Sequence, residues 1–166
     1  MLSYTTEGRL LDGERELVRL QAEGALGVLS DASGEYELTR PGSGGWHMEL
    51  TDRRTGQRAC EFVPRLIGRG GRLRSADGQT SLRGRLLGPS HWRFSSANGT
   101  RVDATANAVR TPARGLRQLE VRLDVGEWVG TLPIAPLTLA FGCWLIVRWE
   151  MGMPQRSGTL DVLIGA

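Results

Sequence analysis

Arginine is the residue type of this chain that most clearly offers binding chemistry. A guanidinium group carries paired N–H donors in one plane, and these match the oxygens of a phosphate group. If two strands meet at the turn Asp77-Gly78, side-chain alternation places Arg72 and Arg74 on one face. The same alternation places Arg83 on one face with Arg85. The candidate lipid- or anion-binding residues are therefore Arg72, Arg74, Arg83 and Arg85, within a span that also contains Arg65 and Arg69.

An alternative explanation of these arginines is an ordinary solvated hairpin in an arginine-rich protein. All 21 basic residues are arginine and none is lysine, a bias that genomic codon usage explains more simply than selection for guanidinium chemistry. The net charge of +3 is too small to indicate nucleic-acid binding. We therefore expect no nucleic-acid partner, and both explanations of the arginine span stay open.

Other residue types offer little catalytic or metal-binding chemistry. His47 and His91 each adjoin a tryptophan, and two strand histidines could ligate a metal ion, but no cysteine or carboxylate cluster in the sequence completes such a site. The chain has no nucleophile elbow, phosphate-binding loop, dinucleotide fingerprint or His-Glu-x-x-His motif. We predict no catalytic residues, no metal, no cofactor and no enzymatic activity.

The two cysteines bear on the cellular setting. Cys60 and Cys143 have neither metal-ligand spacing nor a CxxC neighbour. Cys143 lies in an apolar run, where burial disfavours the thiolate, and we expect it to be unreactive. Residues 1–23 are charged and lack the apolar core of a secretory signal. These features favour a reducing, cytoplasmic location, peripheral to a membrane if the lipid hypothesis holds.

The element around which these candidates must be arranged is the apolar stretch at residues 132–149. No charged residue occurs between positions 137 and 147, and Pro133 and Pro136 both suit the start of a helix. A helix that is apolar all round must be enclosed by protein or by lipid. We predict a central hydrophobic helix over residues 132–150, with a core formed by Leu137, Phe141, Trp144, Leu145 and Val147.

Protein is the surrounding that we favour for this helix. The apolar run is shorter than the about 20 residues that a bilayer crossing needs. Its flank Arg148-Trp149-Glu150 could anchor at an interface, so membrane insertion of residues 132–149 stays an alternative. A chain of 166 residues, with 23 glycines and 7 prolines at turn-like intervals, suits one domain. A closed β-barrel is a fold that can surround a helix completely in a chain of this size.

Short strands account for most of the remaining sequence. Apolar residues alternate with polar ones at residues 35–40, 46–51 and 58–63, and the last alternation continues through Leu66 and Ile67. Further strands are predicted at residues 25–29, 82–87, 91–94 and 100–109, with hairpin turns at Asp77-Gly78 and Asn98-Gly99. Residues 116–123 fit a strand or a helix, and so do residues 1–23.

These patterns predict a mainly β fold, a closed barrel of about ten to twelve strands around a buried hydrophobic C-terminal helix. Residues 1–166 would form a single domain. Within it, residues 1–23 are an uncertain N-terminal segment, 24–131 supply barrel strands and 132–150 form the helix. Residues 154–166 would be either a C-terminal extension or a closing strand, the strand pattern lying at 159–164.

With this helix and these strands, the chain resembles the tubby C-terminal-like group, especially LURP-one-related proteins and phospholipid scramblases. The resemblance covers roughly residues 24–150 and is carried by residues 140–146 (AFGCWLI), by 46–52 (WHMELTD) and by the Asp77-Gly78 hairpin. It implies a strand-rich barrel closed around a hydrophobic C-terminal helix, and a basic surface that meets phosphoinositides.

Three departures from the group limit what the resemblance implies. Many relatives have an acidic residue late in the helix, where this chain has Val147-Arg148. The acidic calcium-binding segment of animal scramblases has no counterpart, and residues 154–166 extend past the expected end.

The leading functional hypothesis is a non-enzymatic barrel that associates with membrane lipids or anionic head groups. The expected partners are anionic phospholipids or a membrane surface. One alternative is an interaction or scaffold barrel with a protein partner and no lipid role. The other is a membrane-anchored protein with residues 132–149 inserted in the bilayer.

Overall fold

The computed structural model describes residues 1–23, 26–41, 46–85, 90–110, 117–126 and 131–151. They form twelve β-strands and one α-helix. The strands are β1 Leu2–Thr5, β2 Arg9–Asp12, β3 Arg15–Glu23, β4 Leu26–Asp31, β5 Gly34–Thr39, β6 Met48–Asp52, β7 Arg58–Pro64, β8 Gly70–Ser75, β9 Gly78–Gly84, β10 His91–Ser96, β11 Arg101–Arg110 and β12 Arg117–Asp124, and the helix is α1 Pro136–Glu150.

The twelve strands form one closed antiparallel barrel in which each strand pairs with its neighbours in sequence. The barrel closes where β1 pairs with β12, with Leu2 opposite Leu123 and Tyr4 opposite Val121. Closure leaves no unpaired strand edge in the barrel. The predicted closed barrel of about ten to twelve strands around a buried helix is therefore confirmed.

Two segments whose sequences fit either a strand or a helix both form strands in the structure. Residues 1–23 supply β1, β2 and β3, so the N-terminal segment completes the barrel. Residues 117–124 form β12, in which Val121 and Leu123 are buried as their alternation predicts. The extension at 154–166, with its predicted closing strand, lies outside the described residues.

The helix α1 occupies the barrel interior. Pro136 stands at its first position, where the absent N–H would have had no intrahelical partner. Residues 138–147 are all buried, and among the predicted core residues Phe141 and Leu145 have no exposed surface. Trp144 and Val147 are also buried, while Leu137 is only partly buried near the helix start. The helix begins later than predicted, since residues 132–135 belong to the connection.

Gly142 shows how closely the helix approaches the barrel wall. A Cβ atom at this position would lie 2.2 Å from Cε1 of Phe94 on β10. Only glycine leaves room for that ring. The small residue within the apolar run is therefore required by packing.

The helix distinguishes the two ends of the barrel. At the helix N-terminal end, residues 131–135 lead into α1, and the turns follow the even-numbered strands. At the helix C-terminal end, Trp149 stacks on Trp46 with 4.4 Å between ring centroids, and the loops follow the odd-numbered strands. Among the described residues, no helix is long and apolar enough to cross a membrane.

Several predicted strand limits need correction. The alternation after residue 63 does not continue the strand: β7 ends at Pro64, and Leu66 and Ile67 are exposed in the β7–β8 loop. The next strand, β8, begins at Gly70 and includes Gly71. The strand predicted at 82–87 is β9, which begins at the hairpin residue Gly78 and ends at Gly84.

Candidate anion-binding site

The four candidate arginines all lie on the outer side of the barrel. On β8, Arg72 and Arg74 are exposed while Leu73 between them is buried. Arg83 is exposed on β9 next to the buried Leu82, and Arg85 is exposed just after β9 ends. Side-chain alternation therefore accounts for their outward direction.

The strand register separates Arg74 from the other three. Arg72 lies opposite Ser81, and Arg83 lies opposite Gly70, so Arg72 and Arg83 are diagonal neighbours at the helix C-terminal end of the hairpin. Arg74 lies further along β8, opposite Gln79. Its guanidinium is 3.8 Å from a carboxylate oxygen of Glu61 on β7.

A groove of about 1020 Å³ runs along the outside of β9 to β12. Its lining includes short side chains such as Ser81 and Ser95, which leave space between longer ones. Five arginines line it, of which the sequence pattern singled out only the first two: Arg83, Arg85, Arg93, Arg101 and Arg122. The meander brings these residues together from four consecutive strands.

Two carboxylates, Asp103 and Asp124, partly balance the charge of the groove. Asp103 binds Arg93 through two hydrogen bonds, from Nε at 2.6 Å and from Nη2 at 3.2 Å. The hydrogen bond from Arg93 lowers the pKa of Asp103, although desolvation opposes this effect. Within the described part of the chain, Arg83, Arg85 and Arg101 have no ion-pair partner. Arg85 is nevertheless near enough to Asp103 to help lower the pKa of that carboxyl. Because five arginines face two carboxylates, the groove keeps a net positive charge.

The two histidines do not meet. His91 lies on β10 in the groove, with its Nδ1 3.2 Å from Oγ1 of Thr105. His47 precedes β6, four strands away around the barrel. A metal site that joins His47 and His91 is therefore not formed.

His47 instead belongs to a cluster that the sequence pattern did not indicate. Glu49 on β6 lies directly opposite Glu61 on β7, and Nε2 of His47 is 2.8 Å from Oε1 of Glu61. The three ligand atoms lie within 4.8 Å of one another, so a carboxylate pair does stand beside this histidine. A β-bulge in the β6–β7 pairing makes this register hard to derive from alternation.

Two guanidinium groups already neutralise the carboxylates of this cluster. Nη1 of Arg58 lies 3.2 Å from Glu49 and 3.3 Å from Glu61, and Arg74 approaches Glu61 as well. Opposed like charges on neighbouring strands destabilise a sheet unless they are compensated. The arginines provide that compensation, so the cluster is explained as an ion-pair network.

A second polar cluster lies where α1 ends. The Glu150 carboxylate accepts hydrogen bonds from Arg69, from Ser90 and from Nε1 of Trp92, the last at 2.9 Å. Desolvation raises the pKa of this carboxyl, but the hydrogen bonds from Ser90, Trp92 and Arg69 together lower it below its ordinary value. Glu150 is therefore a largely buried carboxylate that joins the end of α1 to the β7–β8 loop and to β10.

Both cysteines are buried and free. Desolvation raises the pKa of Cys60 to about 12, and it raises the pKa of Cys143 still further above its ordinary value. The low reactivity expected of Cys143 remains a prediction, and the same expectation now extends to Cys60.

No family model, no curated protein and no solved structure matches this chain. The resemblance to the tubby C-terminal-like group therefore stays a prediction from the sequence.

Proposed function

We propose that this protein is a non-enzymatic barrel that associates with membranes by binding anionic lipid head groups. Arg72, Arg83 and Arg85 would form the contact surface, extended by the groove of β9 to β12. The observation that carries the proposal is the position of Arg83 and Arg85, which are exposed and line the groove of about 1020 Å³. Neither of them has an ion-pair partner among the described residues.

The chemistry of the groove suits phosphate more than a neutral ligand. Guanidinium groups bind phosphate oxygens through paired charge-assisted hydrogen bonds. The groove offers such groups from Arg83, Arg85 and Arg101, beside the hydroxyl groups of Ser81 and Ser95. A lipid head group and a free multivalent phosphate share this chemistry, and they differ only in the acyl chains behind the phosphate.

Arg74 is expected to contribute less than the other candidate residues. Glu61 lies within 3.8 Å of its guanidinium and would compete with a lipid phosphate for the same charge. Its position nearer the helix N-terminal end also takes it away from Arg83. We therefore keep Arg74 as a peripheral member of the site.

Vesicle binding tests the proposal. Each arginine near an anionic membrane contributes about 1 kcal/mol, so replacing Arg72, Arg83 and Arg85 by glutamine should weaken binding to anionic vesicles about 100-fold. Raised salt should have a similar effect through screening. A matched control carries Arg15→Gln, Arg53→Gln and Arg54→Gln, three exposed arginines at the helix N-terminal end, and should bind like the wild type.

Two outcomes would contradict the proposal. Equal loss of binding in the control variant would mean that only net charge matters and that no specific surface exists. Failure of the wild type to bind any anionic vesicle would remove the lipid role and favour the scaffold alternative. Circular dichroism and denaturation should establish that both variants are folded, since exposed arginines contribute little to stability.

A further inference from the structure

The β7–β8 loop, residues 65–69, carries an adjacent pair of aliphatic side chains in water. Leu66 has a relative exposure of 104% and Ile67 of 86%. Among the described residues, the other exposed large apolar side chains are single methionines, Met1 and Met151. Isolated apolar residues on a surface are ordinary. Two fully exposed neighbours at a loop tip are not explained by packing.

The base of this loop is held firmly, so the tip keeps its outward direction. The N–H of Arg65 donates to the carbonyl of Gly70 at 3.1 Å and closes the loop. Gly70 has φ +113°, and a Cβ atom there would meet the Leu82 carbonyl oxygen at 2.0 Å. Arg69 binds Glu150, and its guanidinium lies 4.6 Å from the ring centroid of Trp92.

Basic side chains surround the tip. Arg65 is exposed within the loop, and Arg83 lies level with Gly70 at the start of β8. Arg72 is two residues further along the strand, a distance of roughly 7 Å at the usual rise of a strand. Arg85 is exposed at the same end of the barrel. The tip is thus apolar, and four guanidinium groups lie behind it. We call these four residues, Arg65, Arg72, Arg83 and Arg85, the collar.

We propose that Leu66 and Ile67 insert into the acyl boundary of an anionic bilayer while the collar binds its phosphates. This inference rests on the proposed function and adds the element that enters the membrane. Two aliphatic side chains bind a bilayer weakly alone, and stable association needs a second signal such as a basic patch. Arg65, Arg72, Arg83 and Arg85 supply that patch.

A lipid surface fits this tip better than a folded protein partner does. A stable protein interface buries about 800 Å² on each partner and requires matching shape. Two side chains on a narrow loop offer much less area. A bilayer needs no matching shape, because it yields around an inserted side chain and presents its phosphates in a layer above the acyl chains.

Site-specific labelling tests insertion directly. Ile67→Cys places a thiol at the tip, while Cys60 and Cys143 are buried and should not compete for a polar maleimide dye. An environment-sensitive dye at position 67 should shift to the blue on vesicles of phosphatidylcholine with phosphatidylserine, and lipid-borne quenchers should reach it. The same dye at Ala76→Cys, in the exposed β8–β9 turn at the opposite end, should stay in water.

Partitioning of unlabelled variants tests the energetic role. The double variant Leu66→Ser with Ile67→Ser should bind those vesicles at least about tenfold more weakly, because burying one such side chain is worth about that factor or more. The exchange Leu66→Ile with Ile67→Leu keeps the apolar area and should bind like the wild type. Both variants should bind inositol hexakisphosphate in solution as the wild type does, because the arginines are retained.

The outcomes separate the two proposals. A serine variant that partitions like the wild type, with a dye at position 67 that stays in water, overturns insertion and leaves arginine binding intact. If the variant with Arg72, Arg83 and Arg85 replaced by glutamine still partitions, with the dye still in the acyl region, the arginine site is overturned and insertion stands. Loss of both vesicle and inositol hexakisphosphate binding in the serine variant would assign the tip a structural role and overturn insertion.

Discussion

The two ends of the barrel are built from the same hairpins and both carry exposed arginines, but they differ in the residues that accompany those arginines. At the helix C-terminal end, exposed arginines surround the aliphatic tip of the β7–β8 loop. At the helix N-terminal end, aspartates stand where even-numbered strands end or in the turn that follows: Asp31, Asp52 and Asp124 are the last residues of β4, β6 and β12, and Asp77 lies in the β8–β9 turn. Under the proposed function, one end would be shaped mainly by folding requirements and the other by contact with a lipid surface.

Turn chemistry explains the aspartates. Oδ1 of Asp31 accepts hydrogen bonds from the N–H groups of Ser33 and Gly34, and Oδ1 of Asp52 accepts from Arg54 and Thr55. Such bonds fix short turns, which is why aspartate is common in them. Asp124 likewise accepts a hydrogen bond from the N–H of Gly126. Asp31, Asp52 and Asp124 therefore each have a local structural role that requires no ligand.

The helix C-terminal end lacks an equivalent local explanation for its charges. Of its described arginines, Arg69 is fixed by Glu150, but Arg65 and Arg85 make no ion pair within the described part of the chain. Leu66 and Ile67 pack against nothing in the core. Folding therefore accounts for the aspartates at one end. It does not account for Arg65, Arg85, Leu66 and Ile67 at the other.

The largest expected effect contrasts an enclosed apolar residue with an exposed one. Trp144→Ala removes a buried ring from α1 and should lower the free energy of unfolding by about 3–5 kcal/mol. Leu66→Ala should leave it nearly unchanged, because the side chain is already in water. Chemical denaturation measures both. A Trp144→Ala change below about 1 kcal/mol would mean that the barrel does not enclose the helix.

An intermediate effect is expected at the polar cluster of Glu150. Glu150→Gln removes a carboxylate whose side chain is 12% exposed and which pairs with Arg69, and it should cost about 2 kcal/mol, as for hydrogen bonds to charged groups. Glu150→Ala, which also removes the acceptors for Ser90 and Trp92, should cost more. Denaturation at pH 7 compares the three proteins, and equal stability would show that the cluster does not anchor α1.

The pH dependence of the Glu150 effect has a definite sign. The folded-state pKa lies below its ordinary value, so the carboxylate stabilises the fold fully above the ordinary pKa of about 4.3. That contribution is lost as the pH falls through the lowered folded-state pKa. The stability difference between wild type and Glu150→Gln should therefore be constant near neutral pH and shrink in acid. A difference that grows in acid would contradict the lowered pKa.

The fold was largely predictable because two features of the sequence agree: an apolar run that must be enclosed, and alternating strands that can enclose it. Phe141, Trp144 and Leu145 lie in a run with no polar stripe, which requires enclosure, and alternating strands provide the enclosing wall. The ends of strands were less predictable. Leu66 and Ile67 continue an apolar pattern, and only the pairing of β7 with β8 shows that the strand has already ended.

The outward direction of the candidate arginines could be predicted from the sequence, but the full set of residues that make up the site could not. Period-two alternation places Arg72 and Arg83 outside the barrel, as observed. The partner of Arg74 is Glu61, which depends on the register of β7 against β8 and cannot be derived from alternation alone. Arg101 and Arg122 join the groove because β11 and β12 follow β10 in a meander, a feature of topology.

The smallest expected effect lies at the helix N-terminal end and tests whether its carboxylates serve only the turns. Asp52→Asn keeps an oxygen that can accept from Arg54 and Thr55, so stability at neutral pH should change less than in Glu150→Gln. Asp52→Ala removes the acceptor and should destabilise the protein more than Asp52→Asn does. The backbone hydrogen bond from Arg54 lowers the pKa of Asp52, so its carboxylate stabilises the turn above the ordinary pKa. This contribution disappears as the pH falls through the lowered pKa.

Vesicle binding should be unchanged in both variants, because Asp52 lies at the end away from the arginine collar. A substantial change in vesicle binding for Asp52→Asn, with stability unaltered, would give this end a role in the contact and remove the distinction between the two ends.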